Sequence, residues 1–562
     1  MKKTHAPKLR LTALVVPTAL ALAACGGSDD STPAAPQPPA ATLSLSGTAA
    51  TGAAISGGSV DAKCKDGSGS ATSGADGNFK IDLAQGSLPC LLRVSSGATV
   101  LHSLANGSGA SARANLTPLS ELVLARLAGQ NPAATYAAFD ASTTLDAAKV
   151  TAAVDAVIAA LKSGGVDLSG IDMLGGALVA ANGASAGDAF DQKLDALKAR
   201  LAESGTTLAE LRDTMARESP FAPPSATSAT PSLPSGLLLR AAAANCKALR
   251  SGSYRYVDFR HGPSSDLTGT VSFDPQTLRL TETSRGEFTQ LSAAGECRYT
   301  FDSGEELVVS PAGVAVFRQL DGNVRHAGML LPEQTHAVAA LAGTWNAIGL
   351  SDTAGGGGPV HLHAGTMTVD ATGRVTADVF CDDLKTCVNE TPDALMAFAA
   401  NSAGGFDFDG GRAFAYRSGS GELMVVALDR DGGMALATRK APRALSPIDS
   451  VNRSWNLTLD NALTVPFVLS DSENKTVSHA GDGSSWTRNS IIDFANGITR
   501  PETVQINVPL EGFLRRVPGS VTASNGAPSN VSEWIGLTLR GMGITPVAFP
   551  ASQQLVLSVN KP

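Results

Sequence analysis

Between residues 42 and about 112, apolar and polar positions alternate with period two and are interrupted by glycine-rich turns, a pattern that predicts short β-strands. Leu43-Ser44-Leu45-Ser46 and Phe79-Lys80-Ile81-Asp82-Leu83 carry the alternation, and Ala75-Asp76-Gly77-Asn78 supplies turn chemistry between them. From residue 115 the period becomes helical. Val150, Val154, Val157, Ile158 and Leu161 fall on one stripe, and Phe190, Leu194, Leu197 and Leu201 repeat it. Thr117-Pro118 reads as an N-cap with proline at the first helical position, Gly129 as a stop, and Thr207 with Glu210 as a capping box. Residues 115–218 are therefore expected to form a bundle of four or five helices.

Residues 219–238 are rich in proline and serine and read as a linker. Beyond them the pattern is all β and partly repeats. Gly269-Thr270-Val271-Ser272-Phe273-Asp274 through Thr281 aligns with Gly365-Thr366-Met367-Thr368-Val369-Asp370 through Thr376, each an alternating strand, a turn opened by Asp and a returning strand. Gly252-Ser253-Tyr254 and Gly343-Thr344-Trp345 precede the two hairpins, and Phe317-Arg318 and Tyr416-Arg417 follow them. Residues 239–450 are read as a duplicated β module and 451–562 as a third, divergent one, opening at Ser454-Trp455 with Arg515 or Arg516 as its later basic residue. The fold class expected is multidomain and mainly β: a small β-sandwich over 42–114, a helical bundle, then antiparallel barrels or sandwiches.

The amino-terminal segment changes the picture. Lys2, Lys3, Lys8 and Arg10 precede an apolar run over residues 11–24, too short for the roughly twenty residues a membrane-spanning helix needs. Residues 1–24 read as a secretory signal. Leu22-Ala23-Ala24-Cys25 resembles the bacterial lipoprotein signal, in which an aliphatic and two small residues precede a lipidated cysteine. That resemblance implies a diacylglycerol on Cys25 and an acyl chain on its amino group, and two or more chains suffice for stable membrane anchoring. Gly26 in place of Asp points to the outer membrane rather than inner-membrane retention. Residues 25–41 then form an extended, proline-rich tether.

Two further resemblances follow from the motifs above. Gly47, Gly57, Asp76, Gly77 and Phe79 resemble the carboxypeptidase regulatory-like module, a transthyretin-like β-sandwich that usually acts as a spacer. Gly343-Thr344-Trp345 resembles the G-x-W opening of the lipocalin-like (calycin) barrel, in which the Trp closes the barrel floor and an Arg from a late strand crosses it. The pairs implied are Trp345 with Arg417 and Tyr254 with Arg318, while Tyr in place of Trp in the first copy and the lack of a T-D-Y motif leave another antiparallel barrel or sandwich open. A small apolar ligand or haem is the cargo such a barrel implies.

Composition removes other functions. Aromatic residues are 5% of the 562, and the formal charge of −8 becomes −12 once Lys2, Lys3, Lys8 and Arg10 leave with the signal. With no basic patch, nucleic acid is excluded as a partner. Of seven cysteines, the six beyond Cys25 fall as Cys64 and Cys90, Cys246 and Cys297, and Cys381 and Cys387. In an oxidising compartment these are proposed as three local disulfides among fifteen connectivities.

Chemistry is sparse. Gly183-Ala184-Ser185-Ala186-Gly187 matches the nucleophile-elbow pattern but lies between helical stripes, away from the strand-to-helix turn that the motif requires. His361-x-His363 places two imidazoles on one strand face without a third ligand at fixed spacing. Asp429-Arg430-Asp431-Gly432 opens like a calcium loop, but Lys440 occupies the position of the closing Glu. The reading is a non-enzymatic, outer-membrane-anchored binding or interaction protein without a cofactor, its partner a small apolar ligand or another envelope protein. The alternatives are an envelope hydrolase using Ser185 and a structural or adhesive surface protein.

Overall fold

The computed structural model describes residues 42–183, 186–222, 230–259, 267–321, 324–352, 360–381, 383–391, 396–429, 433–460 and 469–562. Thr42–Thr48 lies between Asn78–Ala84 and Ser111–Arg113 in one sheet, and Ser68–Thr72, Ser59–Asp66, Ser87–Ser96 and Thr99–Ala105 form a second. Alternation selects the faces. Leu43, Leu45, Phe79 and Ile81 are buried with Val60, Leu92 and Val94 of the facing sheet, while Lys80 and Asp82 pair outside. Cys64 and Cys90 are bonded across adjacent strands.

Five helices follow, Pro118–Ala128, Pro132–Ala138, Ala147–Ser163, Ala189–Ser204 and Leu208–Arg217. Thr117 and Thr207 both form capping boxes, and Gly129 ends the first helix in the left-handed region at φ +65°. The helical stripes close over Leu91 and Leu104 of the sandwich, so sheet and helices share one core. Buried Glu121 ties them further, accepting from the backbone N–H of His102 at 2.7 Å and meeting its Nδ1 at 2.9 Å. At the end of the proline/serine-rich segment the chain packs: Leu233 and Leu237 are buried, and Glu218 accepts from Ser235 N at 2.8 Å and from its Oγ at 2.7 Å.

The β region holds two closed eight-stranded barrels and, between them in sequence, a nine-stranded sheet. The first barrel runs up and down from Gly252–Asp258 to Val324–Pro332, each strand pairing with the next and the last with the first. Its register puts Tyr254, Phe273, Leu280, Tyr299, Leu307 and Phe317 on one face, all buried. Arg255, on the other face, reaches out to Phe414 of the nine-stranded sheet, with Cζ 5.0 Å from the ring centre, so the aromatic face is the lumen. Cys246–Cys297 fastens the segment leading into this barrel to its Phe288–Gly295/Arg298–Phe301 hairpin.

The repeated hairpins are present in separate sheets, Thr268–Asp274 with Arg279–Glu282 in the first barrel and Val360–Val369 with Val375–Cys381 in the nine-stranded sheet. Both turns depend on the expected Asp. Asp274 Oδ1 accepts from Gln276 N at 2.9 Å, and Asp370 Oδ1 accepts from Thr372 N at 2.8 Å.

The carboxy-terminal barrel spans Val451–Asp460 to Gln554–Asn560 and is inverted relative to the first. Trp455, Leu457, Leu459, Leu555, Leu557 and Val559 face outward into a core shared with the first barrel and the nine-stranded sheet. The alternate positions, among them Asn456, Asn474 and Ser558, face the lumen. Trp455 is thus no counterpart of Trp345: it lies outside the barrel, with Lys561 Nζ 5.4 Å from its ring, while Arg516 approaches Trp534. A one-residue shift of alternation moves every side chain to the other face.

Candidate functional site

The nine-stranded sheet is arranged around Gly343–Asp352, which pairs with Val360–Val369 on one side and Met434–Arg439 on the other. The sheet curls far enough that its ends meet: Arg374 and Ala397 form a bridge, and Phe398 N donates to Gly373 O at 2.9 Å. Asn346, on one face of the central strand, points to the carboxy-terminal barrel and donates to Glu511 O at 2.7 Å. Trp345 and Ala347, on the other, line a cavity of about 450 Å³. Its walls are Met367, Val369, Val375, Phe398, Phe408 and Val425. That volume falls within the 300–1,000 Å³ typical of small-molecule sites.

Trp345 forms the floor. Its indole N–H donates to Leu341 O at 2.7 Å, in the 3₁₀ turn Val338–Leu341. Arg439, the register partner of Trp345 on the last strand, lies over the ring with Cζ 4.0 Å from its centre. The same guanidinium donates to Ala342 O and Ala340 O, both at 2.6 Å. It thus satisfies carbonyls at the end of the 3₁₀ turn while gaining a cation–π contact of about 0.5–2 kcal/mol. Burial, with nearby Arg417, lowers its pKa to about 10, which leaves it charged at neutral pH.

Polar side chains are few in this apolar surface: His363, Thr366, Asp378, Asp409 and Asp429. His363 stacks on Phe380, with ring centres 5.5 Å apart and planes 23° apart. Burial, assisted by Glu390, raises the pKa of Asp378. Asp409 and Asp429 complete the acidic lining. The arrangement suits a mainly apolar body that carries a polar or cationic group.

The arginine expected over Trp345 was Arg417, and this is corrected. Arg417 donates to Gly421 O at 2.8 Å, and the crossing residue is Arg439. The second expected pair is separated as well. Tyr254 is opposite Pro332 and Arg318 opposite Ala327, five positions apart on one strand and about 17 Å along it. The Tyr254 hydroxyl instead donates to Arg250 O at 2.7 Å, and Arg318 pairs with Glu306 at 2.9 Å. Tyr254 and Trp345 keep one feature in common, a side-chain hydrogen bond to the carbonyl four residues upstream.

His361 and His363 lie two apart on one strand, and among the described residues no group of three or more His, Cys, Asp or Glu is placed to hold a metal. Cys381 and Cys387 are bonded beside this hairpin. Cys25, Ser185 and Asp431 lie outside the described residues. The described part of the 164–188 connection that carries Ser185 contains no strand. Arg439 and Asp378 were missed by sequence reasoning. The only signal for Arg439 was its place at the end of the alternating run from Met434.

No family model and no curated protein matches the chain. Among solved structures, it is similar to a protein of unknown function from the DUF3598 family of Nostoc punctiforme, at 12% identity over 41% of this chain and 100% of that one, with a TM-score of 0.14. It is similar to the isotype 1 transferrin binding protein B of serogroup B Neisseria meningitidis, at 12% identity over 52% of this chain and 66% of that one, TM-score 0.15. A substituted transferrin binding protein B from Haemophilus parasuis gives 8% identity, 55% and 66% coverage and a TM-score of 0.18. At these scores the reading of the site rests on the chain's own geometry.

Proposed function

We propose that this protein is a lipid-anchored protein of the outer membrane whose nine-stranded sheet binds a small apolar ligand, without catalysis. The observation that carries the reading is the apolar cavity of about 450 Å³ above the Trp345–Arg439 floor. Its described lining residues that carry polar side chains are His363, Thr366, Asp378, Asp409 and Asp429, set in an otherwise apolar surface. The calycin resemblance, which implied Trp345 with Arg417, supports this reading only in that an arginine, Arg439, lies over the Trp345 ring. The anchor is read from Leu22-Ala23-Ala24-Cys25, and the sandwich and helices serve as spacer between tether and barrels.

The test uses the apolar fluorophore N-phenyl-1-naphthylamine on the full chain. Ala437 lines the cavity, and Ala437→Trp fills it. Saturable binding to the wild type and a loss of about tenfold or more in the variant, with an unchanged melting temperature, are expected from excluding the probe's apolar surface. Equal binding by both proteins would remove the cavity from consideration. The anchor is tested separately: Cys25→Ser should move the protein from the membrane pellet to the soluble fraction, and a variant that still pellets would refute the lipid anchor.

A further inference from the structure

The carboxy-terminal barrel holds a second and chemically different cavity, of about 920 Å³, extending from its lumen to one mouth. One wall is a polar ladder containing Asn456, Ser472, Asn474, Ser490, Ser558 and Asn560, presented inward by the inverted alternation. Parts of it are already linked: Ser490 Oγ donates to Asn474 Oδ1 at 2.5 Å, and Ser558 Oγ donates to Ser454 Oγ at 2.9 Å. The remaining amides and hydroxyls can both donate and accept.

The other wall is cationic. Arg488, Arg500 and Arg516 converge on Glu502, which is 1% exposed, at 2.8, 2.9 and 2.9 Å. Three guanidiniums against one carboxylate leave a local excess of two positive charges in a chain whose formal charge is −8. Arg500 and Arg516 are also held by Asn530 O and Ser532 O, each at 2.8 Å. Arg488 binds Glu502 through Nε and Nη2, and its Nη1 has no partner among the described residues. Arg443 lines the same cavity, and its buried Nε likewise lacks a partner among the described residues. Trp486 and Trp534 are set among these charges.

A cation excess, unspent guanidinium donors, hydroxyl and amide rungs, and indole rings within one cavity match a single ligand chemistry. We propose that this lumen binds an acidic sugar, a polyhydroxylated ring bearing a carboxylate. The carboxylate meets the Arg488 side of the cluster, since a guanidinium matches carboxylate geometry through paired donors. The ring hydroxyls take the Ser/Asn wall, and the ring's C–H face takes an indole. An inorganic anion would use only the arginines, and a neutral sugar only the ladder and rings.

Isothermal titration of the full chain with digalacturonate, maltose and inorganic phosphate at one ionic strength tests the assignment. Digalacturonate is expected to bind with a dissociation constant below about 1 mM, and maltose and phosphate about tenfold more weakly or worse. Arg488→Gln should weaken digalacturonate about tenfold or more, the equivalent of one charged hydrogen-bonding pair. Because that change also disturbs Glu502, Asn456→Leu provides the decisive variant: it lies on the opposite wall and should weaken digalacturonate to a similar extent in a folded protein. Ala437→Trp, in the other cavity, should leave it unchanged. Digalacturonate binding no tighter than phosphate or maltose, or full affinity in folded Asn456→Leu, would overturn the proposal.

Discussion

Glu502→Gln should lower the unfolding free energy at neutral pH by about 3–5 kcal/mol, because it removes the single anion that three buried or half-buried arginines share. Burial by itself would push this carboxyl up, yet Arg488 and Arg516 override it and hold its pKa at about 2, against an ordinary 4.5. The same burial, together with crowding by Arg488 and Arg500, lowers Arg516 to about 10, still a cation at neutral pH. The sign for acid follows directly. The folded pKa of Glu502 lies below its unfolded value, so its stabilisation is complete above about pH 4.5 and is lost as the pH falls towards 2. The depression of about two and a half pKa units corresponds to about 3 kcal/mol. Urea unfolding of wild type and Glu502→Gln at pH 7, 4.5 and 3 measures this. The gap between the two proteins should be full at pH 7 and narrow at pH 3, and a gap independent of pH would show that the carboxylate charge is not what holds the arginines.

The second large effect concerns the crosslinks. Cys246–Cys297 closes 51 residues and Cys381–Cys387 closes 6. If the crosslink acts by restricting the unfolded chain, loops of these lengths correspond to about 4 and about 2 kcal/mol respectively. Replacing the first pair with serines should therefore cost about twice as much as replacing the second, and Cys64–Cys90, closing 26 residues, should fall between them. Denaturant titrations of the three double variants rank them. A larger loss at Cys381/Cys387 than at Cys246/Cys297 would show that local packing, and not loop closure, sets the contribution.

Features legible in the sequence were those decided by a few neighbouring residues. Thr117 and Thr207 cap their helices because the groups they bond are three residues away. Asp274 and Asp370 open their turns by accepting from N–H groups two residues on. The Trp345 floor was legible only in part. The indole's hydrogen bond to Leu341 is local, but the arginine above it comes from a strand that reaches Trp345 by pairing across the sheet. Tyr416-Arg417 carried the aromatic–arginine motif, whereas Arg439 followed threonine, and only strand order separates the two.

What the sequence determined by itself was the set of elements: strands from period two, helices from period 3.6, caps, turns and a mainly β chain. What the tertiary structure alone decided was which side of a strand faces inward. Ser454-Trp455-Asn456-Leu457-Thr458-Leu459 alternates perfectly, and a barrel considered alone would turn Trp455, Leu457 and Leu459 into its lumen. Here they face out, because the neighbouring barrel and sheet offer them a larger apolar surface to share. The serines and asparagines are left inside with Glu502 and its arginines, and it is that choice of face that makes the carboxy-terminal lumen a polar cavity.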